Sequence, residues 1–244
     1  MQLLVSVMNA DEARSAMAGG ADLVDAKDPR AGALGAVAPA EFRAIHAAAA
    51  ASRLVTAAIG DASDESAIEQ TAFAYAEAGA ALVKVGFAGI ASRARIAQLA
   101  AAAHRGALAG GKGRCATVLV AYVDQASRLA PAALAEIAAR SGARGVLLDT
   151  SDKNAPGLRF LVEQRPLAAC VAYAHDCGLV VALAGKLGPA DVPFVRDAGA
   201  DIAGVRGAAC DGGRTGRVSA ARVLALRALC EEGARYNAAA SASI

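Results

Sequence analysis

Short apolar runs alternate with longer stretches of helical spacing along the whole chain. Four segments share one pattern: GADLVDAK from Gly20, GAALVKVG from Gly79, GARGVLLD from Gly142 and GADIAGVR from Gly199. Their first residues are 59, 63 and 57 positions apart. Each follows a helical run that stops at Ala-Gly, Gly-Gly or Ser-Gly, so each reads as a helix end, a glycine cap and a strand. One strand-plus-helix unit takes about 30 residues, half of this spacing. A further strand is therefore expected in each interval. Leu3–Val7, Leu54–Ile59, Thr117–Val123 and Leu179–Ala184 are the apolar runs that supply them. Helical runs such as Pro39–Ala51, Asp64–Ala78, Pro131–Arg140 and Ser219–Arg235 separate the strands. Eight strands alternating with eight helices predict an α/β fold with a parallel sheet, closed as a (β/α)₈ TIM barrel in one domain. Residues 1–236 make the barrel, and Asn237–Ile244 is a small, polar tail expected to be flexible. The alternative is an open, doubly wound sheet.

Strand side chains alternate between faces, which divides each repeat in two. Counted from the repeat's glycine, offsets four and six are apolar in all four copies: Val24 and Ala26, Val83 and Val85, Val146 and Leu148, Ala203 and Val205. That face packs under the helices. Offsets three, five and seven point into the barrel. Offset three is apolar or small, whereas offsets five and seven admit Asp25, Lys27, Lys84, Asp149 and Arg206. These five lie at the C-terminal ends of strands two, four, six and eight, where enzymes of this fold keep their active sites. Charge placed there is expensive unless it is paired or used. A structural ring of ion pairs is the competing explanation.

Composition sharpens the picture. The 244 residues are 56% hydrophobic and 20% charged, with a formal net charge of +2, which argues against a polyanion-binding surface. No Trp and 4% aromatics argue against base stacking, so no nucleic-acid partner is expected. Charged residues recur too often for a transmembrane run of about 20 residues, and no membrane partner is expected. MQLLVSVMNADEAR has no basic stretch ahead of an apolar run, so no secretory signal is expected either. Five cysteines without a CxxC pattern read as reduced thiols of a cytoplasmic protein. His46, His104 and His175 lack ligand spacing, and neither a metal nor another cofactor is expected. The oligomeric state stays open, a homo-oligomer included.

Only five of the 25 basic residues are lysine: Lys27, Lys84, Lys112, Lys153 and Lys186. All but Lys112 fall at or just after a strand's C-terminal end. Arginine can hold charge and phosphate but does not deprotonate, whereas a desolvated lysine can lose its proton and attack a carbonyl. Lysines kept at the rim are therefore candidates for amine chemistry, with phosphate binding as the other use. Asp25 and Lys27 share a face two residues apart. Asp149 and Lys153 repeat a carboxylate and an amine after strand six. Glycine-rich loops follow strands seven and eight, where this fold often binds phosphate through backbone N–H groups. Gly185, Lys186, Arg206, Gly207, Gly212 and Gly213 are the candidates there. Gly106-x4-Gly111-Lys112-Gly113 imitates a P-loop, but it runs from helix to strand and has glycine where a hydroxyl should bind magnesium.

The N-terminal stretch LLVSVMNADEARSAMAGGADLVDAKDPRAGALGA resembles the start of the (5-formylfuran-3-yl)methyl phosphate synthase family of methanofuran biosynthesis. LVKVG with Lys84, GVLLDTSDKN with Asp149 and Lys153, and DIAGVRGAACDGGR extend the resemblance over nearly the whole chain. It implies a cytosolic (β/α)₈ lyase that joins two glyceraldehyde 3-phosphates. The product would be 4-(hydroxymethyl)-2-furancarboxaldehyde phosphate, formed with loss of phosphate and water. By matching motifs, Lys27 would form the Schiff base and Lys84 would be the general acid and base. Asp25, Asp149 and Lys153 would support them. Two other readings remain open: another Schiff-base phosphosugar aldolase or isomerase, and a barrel that binds phosphosugars without chemistry.

Overall fold

The computed structural model describes residues 1–49, 52–125 and 129–241. Eight parallel strands close a barrel in chain order: β1 (Gln2–Val7), β2 (Leu23–Ala26), β3 (Leu54–Asp61), β4 (Leu82–Gly86), β5 (Ala116–Tyr122), β6 (Gly145–Asp149), β7 (Val180–Leu183) and β8 (Ile202–Val205). β8 pairs with β1 through Gln2↔Ile202 to Val5↔Val205, which seals the cylinder. The connecting helices are α1 (Ala10–Ala18), α2 (Pro39–Ala49), α3 (Glu65–Glu77), α4 (Arg93–Gly110), α5 (Pro131–Arg140), α6 (Leu158–Leu161), α7 (Gln164–Asp176), α8 (Val192–Asp197) and α9 (Ala220–Ser241). The (β/α)₈ expectation holds, with two additions. The short α6 precedes α7, and a hairpin of β9 (Cys210–Asp211) and β10 (Arg217–Val218) stands between β8 and α9.

Local chemistry sets the boundaries. Asn9, Asp64 and Ser92 cap α1, α3 and α4 by accepting the backbone N–H of Glu12, Ala67 and Arg95. Pro131 opens α5 with its φ already set for a helix. Gly20, Gly79, Gly142 and Gly199 all adopt a left-handed φ of 77–105° between helix and strand, and this explains the repeated glycine. The helix read over 39–51 is described as far as Ala49, and residues 50–51 lie outside the described residues. α9 continues to Ser241, past the barrel boundary expected at residue 236, and residues 242–244 also lie outside. Among the described residues no helix is long and apolar enough to cross a membrane.

The face assignment is reproduced. Val24, Ala26, Val83, Val85, Val146, Leu148, Ala203 and Val205 all join the large core between barrel and helices. Leu4, Leu23, Val118, Val120, Leu147 and Ile202 fill the barrel interior as a second, smaller cluster. This apolar plug floors the barrel and leaves its C-terminal mouth to polar side chains.

Candidate active site

Strand register builds the site's centre. Ser6 on β1 pairs with Asp25 on β2, and Asp25 pairs with Thr56 on β3. All three side chains point inward at one level. Asp25 is completely buried and accepts Ser6 Oγ at 3.0 Å and Thr56 Oγ1 at 2.7 Å. Lys84, from the next strand, forms an ion pair with Asp25 Oδ2 and is itself buried. Two hydroxyls and an ammonium thus satisfy the buried carboxylate.

A second pair closes the opposite side. Asp149 ends β6 and accepts Thr150 N–H at 2.7 Å and Lys153 Nζ at 2.9 Å. Lys153 also donates to the Thr150 carbonyl and hydroxyl. Asp124 steadies this turn by accepting Ser151 N–H, Ser151 Oγ and Asp152 N–H.

Lys27 sits just past the end of β2, 8% exposed. Burial lowers its pKa from 10.5 to about 8; Asp149 opposes the drop, Lys84 reinforces it, and Asp25 and Lys153 have smaller opposed effects. Lys27, Lys84, Asp25, Asp149 and Lys153 all line one cavity of about 380 Å³ at the barrel's C-terminal mouth. That volume suits a small phosphorylated molecule.

The loop candidates divide. Gly185, Lys186 and Gly207 line the cavity. Lys186 has a left-handed φ of 58° beside Gly185, and its Nζ donates to the Ala155 carbonyl at 2.6 Å. Arg206 also borders the cavity, but all five of its N–H donors are committed within the protein. They reach Ser6 O, both Glu12 carboxylate oxygens, Arg214 O and Gly216 O at 2.5–3.1 Å. Its expected part in direct anion binding is therefore corrected to that of a brace. Gly212 and Gly213, expected to cradle phosphate, lie exposed in the β9–β10 turn and are not among the cavity's lining residues, whereas the next residue, Arg214, is. Their φ values of 82° and 77° make the turn.

Sequence reasoning missed Ser6, Thr56, Glu12 and Arg214. No glycine repeat marks β1 or β3, so their inward residues carry no such signal that aligns them with Asp25. Strand alternation applied to Leu4-x-Ser6 and Leu54-x-Thr56 would have found the two hydroxyls. Glu12 lies in the first turn of α1, where an acidic residue is ordinary.

A closed parallel barrel with buried lysine–carboxylate pairs around a C-terminal cavity defines a (β/α)₈ enzyme. Structures of 3-hexulose-6-phosphate synthase (TM-score 0.65, 22% identity, 94% of this chain and 99% of that one) and of KGPDC from Streptococcus mutans (TM-score 0.66, 12% identity, 94% and 97%) share the fold. Residues 3–227 match the 4-HFC-P synthase family, and the chain belongs to it. Its relatives include the (5-formylfuran-3-yl)methyl phosphate synthase of Methanocaldococcus jannaschii, 34% identical over 95% of this chain and all of that protein. The synthase of the same name from Methanopyrus kandleri is 36% identical over 88% of this chain and 92% of its own. A putative one from Streptomyces griseus is 36% identical over the full length of both.

Proposed function

We propose that this protein condenses two glyceraldehyde 3-phosphates into 4-(hydroxymethyl)-2-furancarboxaldehyde phosphate, as a Schiff-base lyase of methanofuran biosynthesis. The atoms balance when one phosphate and two waters leave. The observation that carries the reading is Lys27: a buried amine whose pKa is lowered to about 8, facing a cavity lined by two further lysine–carboxylate pairs.

The neutral Lys27 amine adds to a triose aldehyde, and water leaves to give an iminium. The iminium draws electrons from the neighbouring carbon and makes its proton removable. Phosphate elimination, carbon–carbon bond formation and the dehydrations that close the ring can all use that sink. Lys84 moves the protons, and Asp25 holds its ammonium in place between transfers. Asp149 and Lys153 pair with each other on the far side of the cavity, and their charges act on the Lys27 amine across it. Gly185, Lys186 and Gly207 hold a substrate phosphate at the mouth. The scheme needs only these side chains and the substrate's own phosphate as leaving group.

A non-catalytic phosphosugar binder has no use for an amine buried at such cost. Mass spectrometry of the products from glyceraldehyde 3-phosphate alone is the test. The furan phosphate and free phosphate are expected; a hexose bisphosphate or an isomerised triose would replace this reading with an aldolase or isomerase.

A further inference from the structure

Six basic side chains line the cavity: Lys27, Lys84, Lys153, Lys186, Arg206 and Arg214. Lys84 pairs with Asp25, Lys153 with Asp149, and Arg206 with Glu12 behind the wall. Lys27 carries less charge than an ordinary lysine because it is buried. Among the described residues, Lys186 and Arg214 are the cavity cations left with neither a carboxylate partner nor a role in the amine chemistry. They come from different places. Lys186 lies in the loop after β7, and Arg214 lies in the turn between β9 and β10.

We propose that Arg214 holds the phosphate of one triose at a subsite separate from the Gly185–Lys186 loop, which holds the other, so that the cavity takes two phosphorylated molecules together. The proposal rests on the two-triose reading above. Arg214 spends Nη2 on the Gly32 carbonyl at 2.8 Å, which leaves the rest of its fork for an anion. The Gly32 contact ties the hairpin to the loop after β2, and Arg214 and Lys27 line the same cavity. Its placement is fixed from behind: Arg206 grips the carbonyls of Arg214 and Gly216 at 3.0 and 2.8 Å, and Glu12 anchors Arg206. This accounts for a rim arginine with every donor turned inward. Partial burial disfavours the Arg214 charge and Arg206 adds to that, while Asp149 and Asp28 offset part of it from a distance; a phosphate dianion would supply the close partner that the guanidinium lacks.

Inorganic phosphate titrated onto the full chain and followed by ³¹P NMR and calorimetry tests the subsite. Two phosphates per chain are expected for the wild type, one for Arg214→Ala, one for Lys186→Ala and none for the double variant. Arg214→Gln keeps the side-chain stem and a polar end at this part-exposed turn, and should melt like wild type while still losing one phosphate. In turnover of glyceraldehyde 3-phosphate, Arg214→Gln should lower kcat/KM about 100-fold. One phosphate per wild-type chain, or two on Arg214→Gln with unchanged kcat/KM, would overturn the proposal. If the wild type binds two phosphates yet forms no furan, the reaction assigned above fails and the Arg214 subsite stands.

Discussion

Replacing Lys27 by methionine should make the protein more stable while abolishing its chemistry. The folded state lowers the Lys27 pKa from 10.5 to about 8, chiefly by burial. Between those values the unfolded chain binds a proton that the folded chain does not, so stability rises with pH across that window. Below about pH 8 the full penalty stands, and a displacement of about 2.5 pH units corresponds to about 3 kcal/mol. Methionine fills similar space with no charge, and Asp25 and Asp149 keep Lys84 and Lys153 as partners. The gain at pH 7 should approach about 3 kcal/mol, or roughly 6–12 °C in Tm for a chain of this size. At pH 10 most of it should have vanished. The penalty has a functional return: at pH 7.5 the lowered pKa gives roughly 200 times more neutral amine than an ordinary lysine would. Paired thermal melts at pH 7 and pH 10 check this. A Lys27→Met protein that melts at or below wild type at pH 7, or gains equally at both pH values, would show that burial of the Lys27 charge carries no such penalty.

Other outcomes follow from the same geometry. Lys84→Arg keeps a cation beside Asp25 but cannot release a proton near neutrality, so turnover should fall by about two to four powers of ten while imine trapping at Lys27 persists. Full turnover would leave Lys84 a binding residue. Glu12→Gln removes the buried partner of Arg206 and should cost about 3–5 kcal/mol in urea unfolding, with the hairpin exchanging its amides fastest. Gly86→Ala puts a methyl group against Asp61 Oδ1, which also accepts Tyr122 Oη–H at 3.0 Å. A loss of about 1–3 kcal/mol is expected in the same assay.

The barrel was legible because its signals are local and repeated. A left-handed glycine before each even-numbered strand marks the unit, and strand alternation separates Val24 and Ala26 from Asp25 and Lys27 without any tertiary information. The amine–carboxylate rim was legible for the same reason. What stayed hidden depends on contacts distant in sequence. Asp25 is satisfied by Ser6 and Thr56 from neighbouring strands, and its ion-pair partner is Lys84 rather than the nearby Lys27. Arg206 looks like a free rim cation until Glu12, 194 positions away, is seen to hold it. Gly212 and Gly213 have the composition of a phosphate loop, but composition does not show that they lie in the turn of a two-stranded hairpin, beside the cavity-lining Arg214.

The nucleophile itself is tested by borohydride reduction in the presence of glyceraldehyde 3-phosphate, followed by peptide mapping with mass spectrometry. A reduced triose adduct is expected on Lys27 alone, absent from Lys84 and Lys153 and absent when Lys27 is replaced by arginine. An adduct on another lysine, or furan phosphate made at a normal rate by Lys27→Arg, would contradict Lys27 as the nucleophile.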